Sequence, residues 1–196
     1  MLDLSQPGPP NVPAPQLRRE LRSWTRDLAI ALGFALAIII FLYQPVKVEG
    51  TSMAPLLSDQ ERIFINKFVY RFEPIDRGDV VVFWYPRDLS KSFIKRVIGL
   101  PGDTVEIRAG SLFINGREMN ESYVPASYMD GLSYPPLKIP PGEYFVMGDH
   151  RDSSNDSRMF GPVARQYIYG KAVFAYWPVD HFGSLSLPAT VNAASK

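Results

Sequence analysis

The 196-residue chain has no cysteine. That excludes disulfide staples, thiolate catalysis and zinc–thiolate sites, and leaves the redox compartment undecided. Histidine is nearly as scarce, with only His150 and His181. Neither His-x-x-x-His nor His-Glu-x-x-His occurs, so no metal site and no cofactor is expected. A histidine-based triad has few candidates for the same reason. Excess charge is missing too. The formal net charge is +1, which gives no field to draw the chain to nucleic acid, and no such partner is expected. There is no Walker loop, no Gly-x-Ser-x-Gly elbow, no Ser-x-x-Lys and no internal repeat.

Long apolar runs are also missing, with one exception. Leu28 to Tyr43 carries no charge, and Pro45 comes two residues later. The run is a little short of the roughly 20 apolar residues of a spanning helix, and Trp24 and Tyr43 can extend it as interfacial anchors. A buried core helix and a cleavable signal peptide compete with that reading. The run is apolar on all sides, which suits lipid better than a core. Gln44-Pro45-Val46-Lys47 makes a poor small-x-small cleavage site. The expectation is an uncleaved transmembrane anchor over residues 28–45. Before it, residues 1–27 form a proline-rich disordered tail and a basic flank with Arg18, Arg19, Arg22 and Arg26. Arginines ahead of the anchor keep the N-terminus cytoplasmic. The rest of this single-pass chain then faces the periplasm, the exterior or a thylakoid lumen.

Beyond Pro45 the chain is rich in the residues that strands and loops use. The 18 prolines and 10 tyrosines of the whole sequence suit a β-rich domain better than a helical bundle. Candidate strands are Arg62–Asn66, Val80–Trp84, Phe93–Ile98, Thr104–Arg108, Ser111–Ile114, Tyr144–Met147 and Lys171–Tyr176. Ala109-Gly110 and Asn115-Gly116 read as tight turns. Pro162–Tyr167 reads as a short turn or helix. Residues 117–142, rich in Pro, Tyr and Ser, look like a small irregular insert. The expected architecture is mostly β, a coiled or closed antiparallel sheet over residues 46–180, with a C-terminal tail at 181–196.

Three runs in this domain carry chemistry. The first is Gly50-Thr51-Ser52-Met53-Ala54-Pro55. Tyr43 lies only nine positions before Ser52, so a candidate nucleophile stands close to the membrane face. A serine hydroxyl needs a base before it attacks, and a lone serine is more often part of an ordinary turn. The second run is Ile94-Lys95-Arg96-Val97-Ile98-Gly99-Leu100-Pro101-Gly102-Asp103. On a strand Lys95 shares a face with Phe93 and Val97, while Arg96 faces the other way. If that face is buried, desolvation lowers the lysine pKa and leaves the neutral amine a general base requires. The alternative is an edge lysine with its head in water. The third run is Gly148-Asp149-His150-Arg151-Asp152-Ser153-Ser154-Asn155-Asp156-Ser157-Arg158. It can build a rigid web of side-chain-to-backbone bonds, or be a solvated polar turn.

In this order after an N-terminal anchor, the three runs resemble the type I signal peptidase family, a group of serine/lysine-dyad peptidases also called peptidase family S26. The match covers roughly Val46 to Pro178. The resemblance implies a membrane-bound serine endopeptidase in which Ser52 is the nucleophile and Lys95 the general base. It gives Ser154 the role of hydrogen-bonding the lysine, and Asp156 with Arg158 a structural ion pair. Some members carry a serine donor to the oxyanion hole at the position of Gly50. Gly50 has no side-chain donor, so the backbone N–H of Ser52 carries more of that task. His150 stands where the family often has Asn, without a clear catalytic consequence.

The implied reaction removes signal peptides from exported preproteins after Ala-x-Ala-like sites, through an acyl-enzyme. Val48, Met53 and Ile94 would wall the substrate pockets. Phe83-Trp84-Tyr85 would rest on lipid or belong to the core. The implied partners are signal peptides, the lipid bilayer and, by proximity, the secretion translocon. Two rivals remain. A self-cleaving repressor of the SOS type shares the β core and the dyad, but carries a DNA-binding module where this chain has a proline-rich tail and an anchor. A membrane-anchored binding domain that has lost catalysis would give no Lys95-dependent adduct with a serine-reactive acylating inhibitor.

Overall fold

The computed structural model describes the backbone of residues 14–185, and the side chains of those residues other than 14–19 and 38–41. Most of the expected proline-rich tail, and the C-terminal tail beyond residue 185, lie outside the described residues. The chain divides into two compact units, residues 1–41 and residues 42–196.

The first unit is a helix, α1 (Ala14–Leu42). Pro15 sits in its first turn, where a missing N–H costs nothing. The helix stops just ahead of Gln44-Pro45, because a proline disfavours the α conformation in the residue before it. Its described apolar side chains, among them Trp24, Leu28, Leu32, Phe34 and Leu36, are exposed. Among the described residues no helix is long and apolar enough to cross a membrane. Ile38 to Phe41, the apolar end of the run, fall outside the described side chains.

Among its described residues the second unit holds twelve strands in chain order: β1 (Tyr43–Lys47), β2 (Arg62–Asn66), β3 (Val80–Tyr85), β4 (Asp88–Gly99), β5 (Thr104–Arg108), β6 (Ser111–Ile114), β7 (Arg117–Glu118), β8 (Tyr134–Lys138), β9 (Glu143–Met147), β10 (Val163–Ala164), β11 (Ile168–Trp177) and β12 (Gly183–Ser184). One short helix, α2 (Ser157–Phe160), precedes β10. An eight-stranded sheet runs β1-β2-β11-β3-β4-β9-β10, with β12 on β11. A four-stranded sheet runs β7-β6-β5-β8. The recorded pairings are antiparallel. Among the described residues the large sheet is an open path from β1 to β10, so of the coiled and closed forms expected, the closed one does not occur.

Alternation along β3 sorts the core into two layers. Val80 and Val82 join Val48, Met53, Leu57, Ile63 and Ile65 on one face. Val81 and Phe83 join Val97, Val146 and Val163 on the other. Phe83 is fully buried, so of the aromatic strip only Trp84 is substantially exposed. A third cluster binds the β5–β6 hairpin to Ile98, Phe145 and Met147.

Three features differ from the sequence reading. Tyr43–Lys47 is a strand of the large sheet, so the sheet begins inside the stretch expected to be anchor. The segment 117–142 is not an isolated insert, because its β7 and β8 build one small sheet with β5 and β6. Within it Pro135 and Pro136 are tolerated because β8 pairs only with β5 and its outer edge needs no donors. Residues 163–167 form β10 and a 3-10 turn.

Candidate active site

Between β1 and β2 the chain makes a loop whose ends are tied. Val48 N–H donates to Glu61 O at 2.8 Å, and Gln60 N–H returns to Val48 O at 2.9 Å. Inside, Gly50 N–H donates to Asp59 Oδ1 at 2.7 Å and Ser58 N–H to Glu61 Oε2 at 2.7 Å. Gly50 has φ +90°, a left-handed conformation that a side chain would strain. Met53 and Leu57 pin the loop to the core at 1% and 0% exposure. The result lifts Ser52 to the surface, half-buried, while its neighbours stay fixed. Ser52 N–H makes no backbone hydrogen bond among the described residues.

Lys95 comes from the middle of β4, opposite Val81 of β3. It is 4% exposed. Its Nζ lies 2.6 Å from Ser52 Oγ and 3.0 Å from Ile94 O. It also stands 5.3 Å from the centre of the Phe93 ring. Burial is the main force on this amine and drives its pKa down. The charges of Asp156 and Asp149 push it back up, Arg158 pushes it down again, and the balance is about 8. Among the described residues no carboxylate bonds to Nζ; its two partners are a hydroxyl and a carbonyl.

The segment 148–158 braces this pair from behind. Gly148 leaves no room for a side chain, since a Cβ there would lie 2.3 Å from both Ser52 O and Ser154 Oγ. Asp156 caps α2 and accepts from Arg158 N–H. It also accepts Gly148 N–H at 3.1 Å and two Arg158 guanidinium bonds at 2.9 and 2.8 Å. Burial alone would raise the Asp156 carboxyl; the Arg158 guanidinium and the Gly148 N–H outweigh it and hold it below the usual range. Arg158 also binds Asp130, and Arg151 O at 2.7 Å. Ser154 Oγ is buried and makes no well-formed hydrogen bond among the described residues. Its hydroxyl lies toward the Asp156 carboxyl and helps to lower that group's pKa. The Lys95 amine is thus bonded to Ser52 and Ile94, and the expected Ser154 bond is not formed.

The residues that sequence reasoning passed over sit one layer deeper. Arg96 and Asp149, each 1% exposed, form a two-point ion pair at 2.8 and 2.6 Å. Arg151 pairs with Glu121 at 2.5 and 2.6 Å and donates to Gly148 O at 2.9 Å. Tyr123 donates to Glu121 at 2.7 Å, and its ring lies 4.6 Å from the Arg96 guanidinium. Buried opposite charges need such partners. The available signal was the density of arginine and aspartate in the third run. Glu121 and Tyr123 had none, because they arrive from the segment read as an irregular insert.

A cleft of about 600 Å³ opens beside Ser52 and Lys95. One wall is Val46 to Thr51 and the other Ser92 to Lys95, with Tyr169, Ser153 and Asn155 at its margins. Val48 and Ile94 line it. Met53 does not; it lies in the core beneath. Among the described residues no cluster of histidine and carboxylate side chains is arranged to hold a metal ion.

Residues 21–177 match the sequence model of a family described as signal peptidase, peptidase S26. The chain is 36% identical to signal peptidase I of Leptolyngbya laminosa, over 93% of this chain and 92% of that protein. It is 41% identical to signal peptidase I of Bacillus amyloliquefaciens, over 79% and 84%. A solved signal peptidase I from Enterococcus faecalis is similar at a TM-score of 0.46 and 35% identity, covering 50% of this chain and 97% of that one.

Proposed function

The chain belongs to the signal peptidase family, peptidase S26, and is a serine endopeptidase that removes signal peptides; on that premise we propose that Ser52 and Lys95 are its catalytic dyad. The observation that carries the reading is the 2.6 Å contact between Ser52 Oγ and a Lys95 amine buried away from any ion-pair partner among the described residues. A buried amine with a pKa of about 8 is substantially neutral under mildly alkaline conditions. Neutral Nζ takes the Ser52 proton as Oγ attacks the scissile carbonyl. The new ammonium gives that proton to the leaving amine. Water, deprotonated by the same nitrogen, then hydrolyses the acyl-enzyme. The Ser52 N–H donates to the oxyanion, a task that a side chain at Gly50 cannot share.

The substrate lies extended in the cleft, where the edge from Val46 to Thr51 offers backbone for strand pairing. Val48 and Ile94 bound shallow pockets that favour small residues, in keeping with an Ala-x-Ala-like rule. Leu28–Leu42, the helical part of the apolar run, is the membrane anchor in this reading, supported by its uncharged composition and the arginines before it. The test is cleavage of a synthetic Ala-x-Ala signal peptide by the full chain in detergent or lipid. Wild type turns over, and Ser52→Ala and Lys95→Ala fall to background. Substantial activity in Lys95→Ala would remove the dyad.

A further inference from the structure

His150 touches the nucleophile loop at two points and is braced at a third. Its backbone N–H donates to Ser52 O at 3.2 Å. Its Nδ1 lies 3.2 Å from Thr51 O, the carbonyl one residue before the nucleophile. Its Nε2 lies 2.9 Å from Asp152 Oδ1. The ring packs on Tyr128, with centroids 4.1 Å apart. The groups facing the imidazole are therefore the Asp152 carboxylate from its own turn, the Tyr128 ring from the 3-10 turn Ala126–Tyr128, and the Thr51 carbonyl from the nucleophile loop.

Both polar partners of the ring are acceptors. A carbonyl and a carboxylate each require an N–H, and a neutral imidazole has only one. The imidazolium has two and satisfies both. We propose that His150 is a positioning residue for Ser52, gripping the Thr51 carbonyl as an imidazolium braced by Asp152. The proposal rests on Ser52 being the nucleophile.

The test uses the full chain in detergent micelles, with kcat and KM measured on a synthetic Ala-x-Ala signal peptide. In His150→Asn the amide nitrogen is attached to Cγ as Nδ1 is, so it can donate to Thr51 O at every pH. In His150→Gln the amide extends toward Asp152, and the Thr51 bond is lost. His150→Gln is expected to lower kcat about tenfold with KM within about twofold, since small misplacements of a reacting group act on the chemical step. His150→Asn should keep kcat within about threefold of wild type at neutral pH. Wild-type kcat in His150→Gln, or His150→Asn as impaired as His150→Gln, overturns the proposal. If His150→Gln does not fold, His150→Ala decides: a loss of kcat like that expected of His150→Gln supports the proposal, and wild-type kcat overturns it. Failure of the dyad itself shows separately, as activity that survives Lys95→Ala.

Discussion

Lys95 and Arg96 are neighbours on β4, almost equally buried at 4% and 1% exposure, and treated in opposite ways. Strand alternation sends them to opposite faces. Arg96 meets a carboxylate at two points, a carbonyl at Gly78 and an aromatic ring at Tyr123. Lys95 meets a hydroxyl and a carbonyl, and carboxylates only through space. Burial with a partner preserves a charge; burial without one makes the charge expensive. The first side holds the segment 148–158 rigid. The second yields an amine ready to take a proton. The residue types suit the two settings, because arginine stays protonated in either whereas lysine does not. Burial alone does not make a base; the missing partner does.

The comparison breaks most severely when the two sides are made alike. Lys95→Arg puts a permanent cation against Ser52 and is expected to lower turnover about 10⁴-fold, or to background, with the fold retained by circular dichroism. The converse change is Asp149→Ala, which strips Arg96 of its carboxylate. Leaving that charge unpaired should cost about 3–5 kcal/mol of stability in denaturant unfolding. Replacing both partners, Arg96→Met with Asp149→Leu, should recover most of that loss, as apolar replacements of buried pairs do. If the double variant is as unstable as Asp149→Ala, the pair is more than mutual compensation. Gly148→Ala acts between the two sides. Its Cβ would meet the Ser52 carbonyl, which is backbone and cannot rotate away, so the loop must move. A loss of about 10- to 100-fold in kcat with little change in KM is expected.

How far the sequence revealed this arrangement depended on what each residue needed from its surroundings. β2, β5 and β6 were legible to the residue, because turn residues bound them and their β-branched and apolar content is local information. β1 and β8 were hidden by Pro45, Pro135 and Pro136, which read as breakers unless a strand is known to be at an edge. Sheet position is a tertiary property and leaves no local mark. The same division holds at the site. Ser52 and Lys95 could be named from their runs, and they meet across 43 residues of sequence. Glu121 and Asp130 could not, because nothing near them says that a buried and a half-buried arginine arrive from 30 and 28 residues away. Met53 misled for the opposite reason: an apolar residue beside a candidate nucleophile suits a pocket wall as well as a core anchor, and only packing separates the two.

The finest test of the comparison concerns the carboxylates that reach Lys95 only through space. In the proposed dyad the amine must be neutral to act, so the rate should rise with pH and reach half its limit at a pH of about 8. Asp156 is the first of the charges that oppose burial by favouring the ammonium form. Asp156→Asn removes that charge and retains a side-chain oxygen to cap α2. Arg158, which disfavours the ammonium, loses one of its two carboxylate partners and keeps only Asp130. Both changes act in one direction. The ammonium becomes harder to form, the pKa of Lys95 falls, and the rising limb of the kcat/KM profile moves to lower pH. A limb that stays in place would mean that burial alone governs the base. A limb that moves to higher pH would mean that the loop opened and water reached Nζ, so that the pair networks keep the lysine unpartnered chiefly by keeping it dry.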